Sequence, residues 1–279
     1  MSGFSAEWLD VREPVDHRSR NTSLGRRLAR HCHGWRFVSV VDLGCGTGSN
    51  LRATAPLLGP DQHWTLVDHD PALLEAAVAR LTQWADGADS SSGALVLRKG
   101  PKRISVALRR ADLASNLDAA LGPAADLVTA AALFDLVSAA FIARFAAALA
   151  ARKSAFYTVL TYDGDQRWTP PHPADDAMRK AFHAHQGRDK GFGAAAGPAA
   201  PQLLGESFAA GHYTVSQGAS AWRLGPEDAV LIGDLARGFA AAVEETGAVD
   251  AATLTGWRQL ERTGAVVGHA DTLALPPRP

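Results

Sequence analysis

The segment Val41-Asp42-Leu43-Gly44-Cys45-Gly46-Thr47-Gly48-Ser49-Asn50 sets glycines at every second position, with an acid two residues before the first of them. It follows a short β-branched run, Phe37-Val38-Ser39-Val40-Val41, so the glycines fall where a strand gives way to a helix near Ser49. The spacing discriminates between ligands. A dinucleotide fingerprint needs its third glycine three residues beyond the second, where this chain has Ser49, and a phosphate-cradling P-loop needs a Gly-Lys-Ser/Thr ending that is absent. Glycines at this spacing let the backbone turn tightly and approach a ligand closely.

Outward from this turn, strand-like and helix-like segments alternate over about residues 36 to 160, the pattern of a parallel sheet with helices on its faces. Trp64-Thr65-Leu66-Val67 is the second strand. Asp70-Pro71 then supplies an N-cap followed by proline at the first helical position, Leu73, Leu74, Ala77, Val78 and Leu81 recur at helical spacing, and Gly87 suits a left-handed C-terminal position. Leu95-Val96-Leu97 and Ile104-Ser105-Val106 flank a Gly100-Pro101 turn, which predicts a hairpin leading to the third strand. Leu127-Val128-Thr129 reads as the fourth strand and Phe156-Tyr157-Thr158-Val159-Leu160 as the fifth. Between them, 138–151 reads as a helix with Phe141, Ile142, Phe145 and Leu149 inward. From Tyr162 to Gly197 the alternation stops, and three prolines, several glycines and a dense polar set read as an insertion or lid with one helix inside it. A helix near 202–210, a strand at 213–215, helical additions over 226–262 and an edge strand over 266–275 complete the chain, and residues 1–35 form an N-terminal helical cap.

Composition narrows the class of partner. The 279 residues are 47% apolar and 20% charged, enough to bury a sizeable core. Twenty-eight basic against 29 acidic side chains leave no field of one sign, which disfavours a nucleic-acid binder that relies on neutralising phosphates. Two cysteines, Cys32 and Cys45, exclude a disulfide framework and make a reducing cytoplasm the simpler compartment. The first 12 residues do not read as a secretion signal, and no apolar run is long enough to span a bilayer, so no membrane partner is expected. His31-Cys32-His33-Gly34 has a metal-like composition but ends a basic helix, where histidines suit the dipole and Gly34 the C-terminal turn, so no metal is expected there.

The glycine segment resembles motif I of class I S-adenosylmethionine-dependent methyltransferases. That resemblance covers about residues 36 to 160 and implies a Rossmann-like α/β fold: a doubly wound, mostly parallel seven-stranded sheet with helices on both faces and an antiparallel edge strand. It implies S-adenosyl-L-methionine as cofactor and S-adenosyl-L-homocysteine as product. Gly44, Gly46 and Gly48 would let the backbone approach the cofactor, while Asp42 can receive the ammonium group of its methionine moiety, directly or through water. Asp68, 22 residues after Gly46 and at the end of the second strand, would accept from the ribose diol, with His69 beside the adenine. Asp112 and Leu113, at the end of the third strand, look like the pair whose carboxylate and backbone amide meet the adenine. Residues 126–135 look like motif IV, which borders the transferable methyl.

The acceptor is less legible. Methyl transfer from a sulfonium is an in-line displacement, so alignment supplies much of the acceleration and a base is needed only if the acceptor arrives protonated. Asp135 just past the fourth strand and Tyr162 just past the fifth are the candidate catalytic residues, on the side where open α/β sheets bind ligands. Asp163, His185, Lys190 and Arg20 are the candidate acceptor-binding residues. The Asp/Asn-Pro-Pro-aromatic motif of adenine and cytosine amino-methyltransferases is replaced by Ala130-Ala131-Ala132-Leu133, and the Gly-Gly-Gly-Asp-Gly loop of aminopropyl transferases is absent. A small polar metabolite is therefore the leading acceptor. A protein or RNA acceptor, or a protein that binds the cofactor or a partner without catalysis, are the alternatives, and the sequence leaves the oligomeric state open.

Overall fold

A computed structural model of the chain describes residues 4–90 and 94–277. Its helices are α1 (Ala6–Ser19), α2 (Thr22–His31), α3 (Ser49–Thr54), α4 (Pro71–Trp84), α5 (Leu117–Leu121), α6 (Ala139–Arg152), α7 (Asp175–Gln186), α8 (Ala200–Ala210), α9 (Ala229–Glu244) and α10 (Ala251–Gln259). The strands are β1 (Phe37–Leu43), β2 (Asp61–Asp68), β3 (Gly87–Asp89), β4 (Leu95–Lys99), β5 (Lys102–Arg110), β6 (Leu127–Ala131), β7 (Ala155–Thr169), β8 (Thr214–Ala219), β9 (Trp222–Leu224) and β10 (Gly264–Leu275). They form one sheet in the order β3-β4-β5-β2-β1-β6-β7-β10-β8, with β9 also paired to β10. The five strands from β5 to β7 are mutually parallel, and the rest join antiparallel.

Hydrophobic patterning explains the layers. Val38, Val40, Trp64 and Leu66 bury one face of the sheet against Leu24 and Leu28 of α2 and Leu74, Ala77 and Leu81 of α4. Val41, Leu43, Val128 and Phe156 bury the other face against Phe141, Ile142, Phe145 and Leu149 of α6 and Phe208 of α8. Asp70 caps α4 by accepting from the Ala72 amide at 2.8 Å, and Ser138 caps α6 by accepting from the Phe141 amide at 3.2 Å. Each strand end is thus tied to the start of its helix by the residue that sequence patterning picks out.

The mostly parallel, doubly wound α/β fold is borne out, and four details differ. Among the described residues the sheet has ten strands rather than seven, because β3 and the hairpin strand β4 extend one edge and β9 also pairs along β10. The final strand is interior. β8 covers its outer side, and its nearly continuous burial fits a strand flanked on both sides. Gly87 does not close α4: the helix ends at Trp84, and Asp86 draws the chain straight into strand pairing by accepting from Lys99 Nζ at 2.8 Å and the Gly100 amide at 2.7 Å. Finally, β7 runs on to Thr169, pairing with β10 as far as Gly264, so residues 162–169 belong to the sheet and the polar segment starts after them.

The strand order reverses between β1 and β6, where the chain winds to β2 and β5 on one side and to β7 on the other. Open α/β sheets bind ligands at this switch point, beyond the carboxyl ends of the strands. Both the glycine turn after β1 and Asp135 after β6 lie there.

Candidate active site at the switch point

The glycine turn adopts the conformation its composition predicts. Gly44, Gly46 and Gly48 have φ of 60°, 52° and 77°, a region that side chains with a Cβ rarely enter. Asp42, at the end of β1, is fully buried. Its Oδ1 accepts from Asn50 Nδ2 at 2.6 Å, the same amide group reaches Thr129 Oγ1 on β6 at 3.0 Å, and Oδ2 has no partner. Burial pushes the Asp42 carboxyl up to about 7, against the pull of the Asn50 amide and the Arg20 guanidinium. Arg20 donates to Asn50 Oδ1 at 2.7 Å and to Thr54 Oγ1 at 2.9 Å, which brings this residue of the α1–α2 junction to the same cluster.

Asp68 has a further task. Its Oδ2 accepts from the Gly46 amide at 2.9 Å and its Oδ1 from the Asp70 amide at 3.1 Å, so the acid at the end of β2 holds the glycine turn from below. His69 is exposed, with Nδ1 3.3 Å from Asp68 Oδ1. Asp112 is exposed and caps its own turn by accepting from the Ala114 amide at 3.0 Å, next to a buried Leu113. The Ala111 amide donates to the Asp68 carbonyl at 3.0 Å, linking the exits of β5 and β2.

Helix α1 lies across this turn. A Cβ placed on Gly46 would stand 2.9 Å from Leu9 Cδ1, and one on Gly44 would stand 3.4 Å from Leu133 Cδ1. The helix is fastened by Arg80 on α4, which donates to Asp10 (Nε at 3.1 Å), by Arg52 on α3, which donates to Glu13 (Nε at 2.8 Å), and by His17 Nε2, 3.1 Å from the Ser49 carbonyl. A cleft of about 340 Å³ opens on its outer side, lined by Glu13, His17, Arg52, Arg80, Gln83 and Trp84. Arg52 and Arg80 are already engaged with carboxylates there, so the cleft offers a ligand no uncommitted guanidinium.

A second buried polar group gathers residues after β6 and within β7 and β10. Asp135 is buried with Oδ1 unpartnered, and burial raises its carboxyl to about 6 against its own backbone amide, the Arg12 guanidinium and the Tyr162 amide. Tyr162 is buried, its hydroxyl 3.0 Å from His183 Nε2, and burial holds it well above the ordinary phenol range. Arg12 pairs with Asp16 at 2.8 Å, and Asp16 also accepts from Trp222 Nε1 at 3.0 Å. His269 on β10 lies beneath, its ring 5.2 Å from that of Trp222 and 6.3 Å from that of Tyr162. Ala132, just past β6, and Leu160, within β7, are left-handed at φ 50° and 59°, and such strain gathers at sites whose surroundings over-determine the backbone.

The structure therefore joins Asp42, the three glycines, Asp68, His69 and Arg20 in one cluster and Asp135 with Tyr162 in another. It sets the remaining candidates apart. Asp163 is exposed and caps a local turn by accepting from the Asp165 amide at 3.0 Å. His185 Nε2 meets Glu245 at 3.0 Å and ties α7 to the end of α9, and Lys190 lies half-buried in the segment after α7. Sequence reasoning missed Leu9, Arg12, Asp16, Trp222 and His269. The signals were present: Arg12 and Asp16 are four apart on one helix, and His269 and Asp271 interrupt an otherwise apolar strand.

No family model matches the chain, and no curated protein matches it in sequence. Solved structures do match in shape. A candidate methyltransferase from Bacillus halodurans C-125 superposes with a TM-score of 0.51 at 12% identity, over 92% of this chain and 100% of that one. A cyclopropane-fatty-acyl-phospholipid synthase-like protein from Lactobacillus casei ATCC 334 gives 0.50 at 14% identity, over 95% and 99%. The chain has the class I methyltransferase fold. Among the described residues, no helix is long and apolar enough to cross a membrane.

Proposed function

We propose that the protein transfers a methyl group from S-adenosyl-L-methionine to a small polar acceptor in the cytoplasm. The observation that carries this reading is Asp42 Oδ2, a carboxylate oxygen buried without a partner at the base of three left-handed glycines. An orphaned acceptor of this kind costs about 1–3 kcal/mol, an outlay that an arriving ammonium group would recover. The residues present fit the cofactor: Asp42 would take its ammonium group, Asp68 its ribose diol, His69 and the Asp112–Leu113 turn its adenine. Close approach to Gly46 requires the tip of the Leu9 side chain to withdraw.

The bound cofactor would supply a methyl group on a positively charged sulfur. The chain's own residues would orient and exclude. Burial keeps the Tyr162 hydroxyl protonated, so it donates or relays a hydrogen bond rather than serving as a base. Asp135, near 6, is mostly ionised at neutral pH and can hold a proton at Oδ1. Arg12, Asp16 and Trp222 close over this region, which suits an enclosed metabolite better than a polymer lying in a groove. Incubation with methyl-tritiated S-adenosylmethionine and a fractionated extract tests the reading. Label is expected in the small-molecule fraction; label confined to protein or RNA, or none at all, would refute it.

A further inference from the structure

The even charge of the whole chain, which disfavours a nucleic-acid partner, conceals a local segregation. From His17 to Val41 the sequence has six arginines and no acid. Arg18 and Arg20 are engaged within the fold, on Asp228 and on Asn50 with Thr54. The other four, Arg26, Arg27 and Arg30 on α2 and Arg36 just before β1, are exposed, and among the described residues none has a carboxylate within ion-pair distance. Arg26 reaches only the Ser23 hydroxyl of its own helix, at 3.1 Å. Arginines on other elements are treated differently: Arg52, Arg80, Arg152 and Arg258 each hold a carboxylate. Arg30 in the last turn complements the helix dipole, but Arg26 and Arg27 sit mid-helix, and like charges three and four residues apart weaken a helix. The elements packed against α2 give no relief. Residues 55–57 and β8 contain no acid, and Asp271 of β10 is buried on the Asn21 and Leu160 amides.

At the entry to β1 this charge meets an aromatic ring. Phe37 is 58% exposed and aligns in register with Asp61 and, beyond it, with Arg103, while Arg98 stands opposite Arg103 on β4. Asp61 is thus the acid in a row that adds two further arginines. We infer that the outer face of α2 and the β1 entry bind a single-stranded nucleic acid, with its phosphates on Arg26, Arg27, Arg30 and Arg36 and a base against Phe37. Guanidinium forks match phosphate oxygens. The ten residues of α2 extend about 15 Å, a track for an extended polyanion rather than a point site for one small anion. Its leucines, Leu24 and Leu28, are buried in the core, so the face has no apolar side chain to sink into a bilayer or to form the dry centre of a protein interface. An exposed ring beside a run of arginines suits base stacking. β1 is about 23 Å long and the glycine turn lies at its other end, so the bound strand is a tether and not the methyl acceptor. The inference does not rest on the methyltransferase reading.

Fluorescence anisotropy of a labelled oligouridylate of about a dozen nucleotides, titrated with the intact protein at several salt concentrations, tests it. Saturable binding that weakens with salt is expected. The triple variant Arg26→Gln/Arg27→Gln/Arg30→Gln should lose about tenfold in affinity or more, with the slope of log K against log salt reduced by about 2. Phe37→Ala should weaken binding severalfold and leave that slope unchanged. Glutamine matches arginine in helix propensity, so the triple variant is expected to fold, which its melting temperature checks; Arg36→Gln, outside any helix, should by itself reduce the slope by about 0.7. Arg167→Gln/Arg237→Gln/Arg258→Gln removes the same charge from other surfaces and should bind as the unaltered protein does. Binding of oligouridylate or of oligothymidylate supports the site, and the ratio of the two tells RNA from DNA. No binding of either, equal losses in the two triple variants, or tighter binding of phosphatidylserine vesicles or polyglutamate than of both oligonucleotides would overturn the inference.

Discussion

At the exit of β1, Asp42 is held by a partner only eight residues away, Asn50, within a single strand–turn–helix. At the exit of β6, Asp135 takes its surroundings from Arg12 on α1 and Tyr162 on β7, two elements separated by well over a hundred residues. The two carboxylates share burial and an orphaned oxygen, and both are pushed upward by loss of water. The difference lies in how each is built. The first site is local and its chemistry is fixed by glycine conformations; the second is assembled by tertiary packing, so its chemistry can vary with whichever helices and strands close over it. On the proposed function, a locally built donor site and an acceptor site assembled from distant parts would let one fold keep its cofactor and change its substrate.

The sharpest way to break that division is Gly46→Val. A branched side chain at φ 52° strains the turn and meets Leu9, so cofactor binding measured by calorimetry should vanish and the melting temperature should fall. Asp68→Ala comes next. It removes the acceptor of the Gly46 amide as well as the proposed ribose contact, and should weaken S-adenosylhomocysteine binding by about 1–3 kcal/mol. Wild-type affinity would remove Asp68 from the site.

Asp42→Asn tests the cost of the orphaned carboxylate. The folded-state carboxyl sits near 7 and the unfolded one near 3.8, so the folded chain holds a proton that the unfolded chain has lost between those values. Stability should therefore decline as pH rises from about 4 to about 7 and level off above. Asp42→Asn should reduce this slope, leaving the part that Asp135 contributes up to about 6, and raise the melting temperature at pH 8 while weakening cofactor binding about tenfold, because an amide cannot pair with an ammonium charge. A variant destabilised at pH 8 would mean that Asp42 is structural. The smallest effect belongs to Arg80→Ala. Its pair with Asp10 is solvent-exposed and should contribute no more than about 1 kcal/mol, so loss should leave stability nearly unchanged and slightly speed cofactor entry under α1 in stopped-flow measurements.

The same contrast explains what could be read from the sequence. The glycine turn, Asp68 and the caps Asp70 and Ser138 depend on neighbours within one βα unit, and periodicity with capping chemistry locates them. Asp271 shows why the rest was hidden. It accepts from the Asn21 amide at 2.7 Å and the Leu160 amide at 2.9 Å, pinning the α1–α2 junction to β7 across 250 and 111 residues. No local pattern announces such a pairing, nor that Arg12 would meet Trp222, nor that β8 would cover β10 and turn an apparent edge strand into an interior one. The polar run from Tyr162 misled for a related reason. Tyr162 to Thr169 pairs with the distant β10, while its exposed Asp163, Asp165 and Arg167 make it read as a loop.

On the proposed function, the turn after β1 accepts a sulfonium nucleoside once the Leu9 side chain moves aside. Isothermal titration of S-adenosylhomocysteine into the intact protein at pH 6.5, in two buffers of different ionisation enthalpy, tests it most directly. One site per chain with micromolar affinity is expected, with net proton release as the arriving ammonium group drives Asp42 to its ionised form. No binding heat, or binding without any proton release, would contradict it.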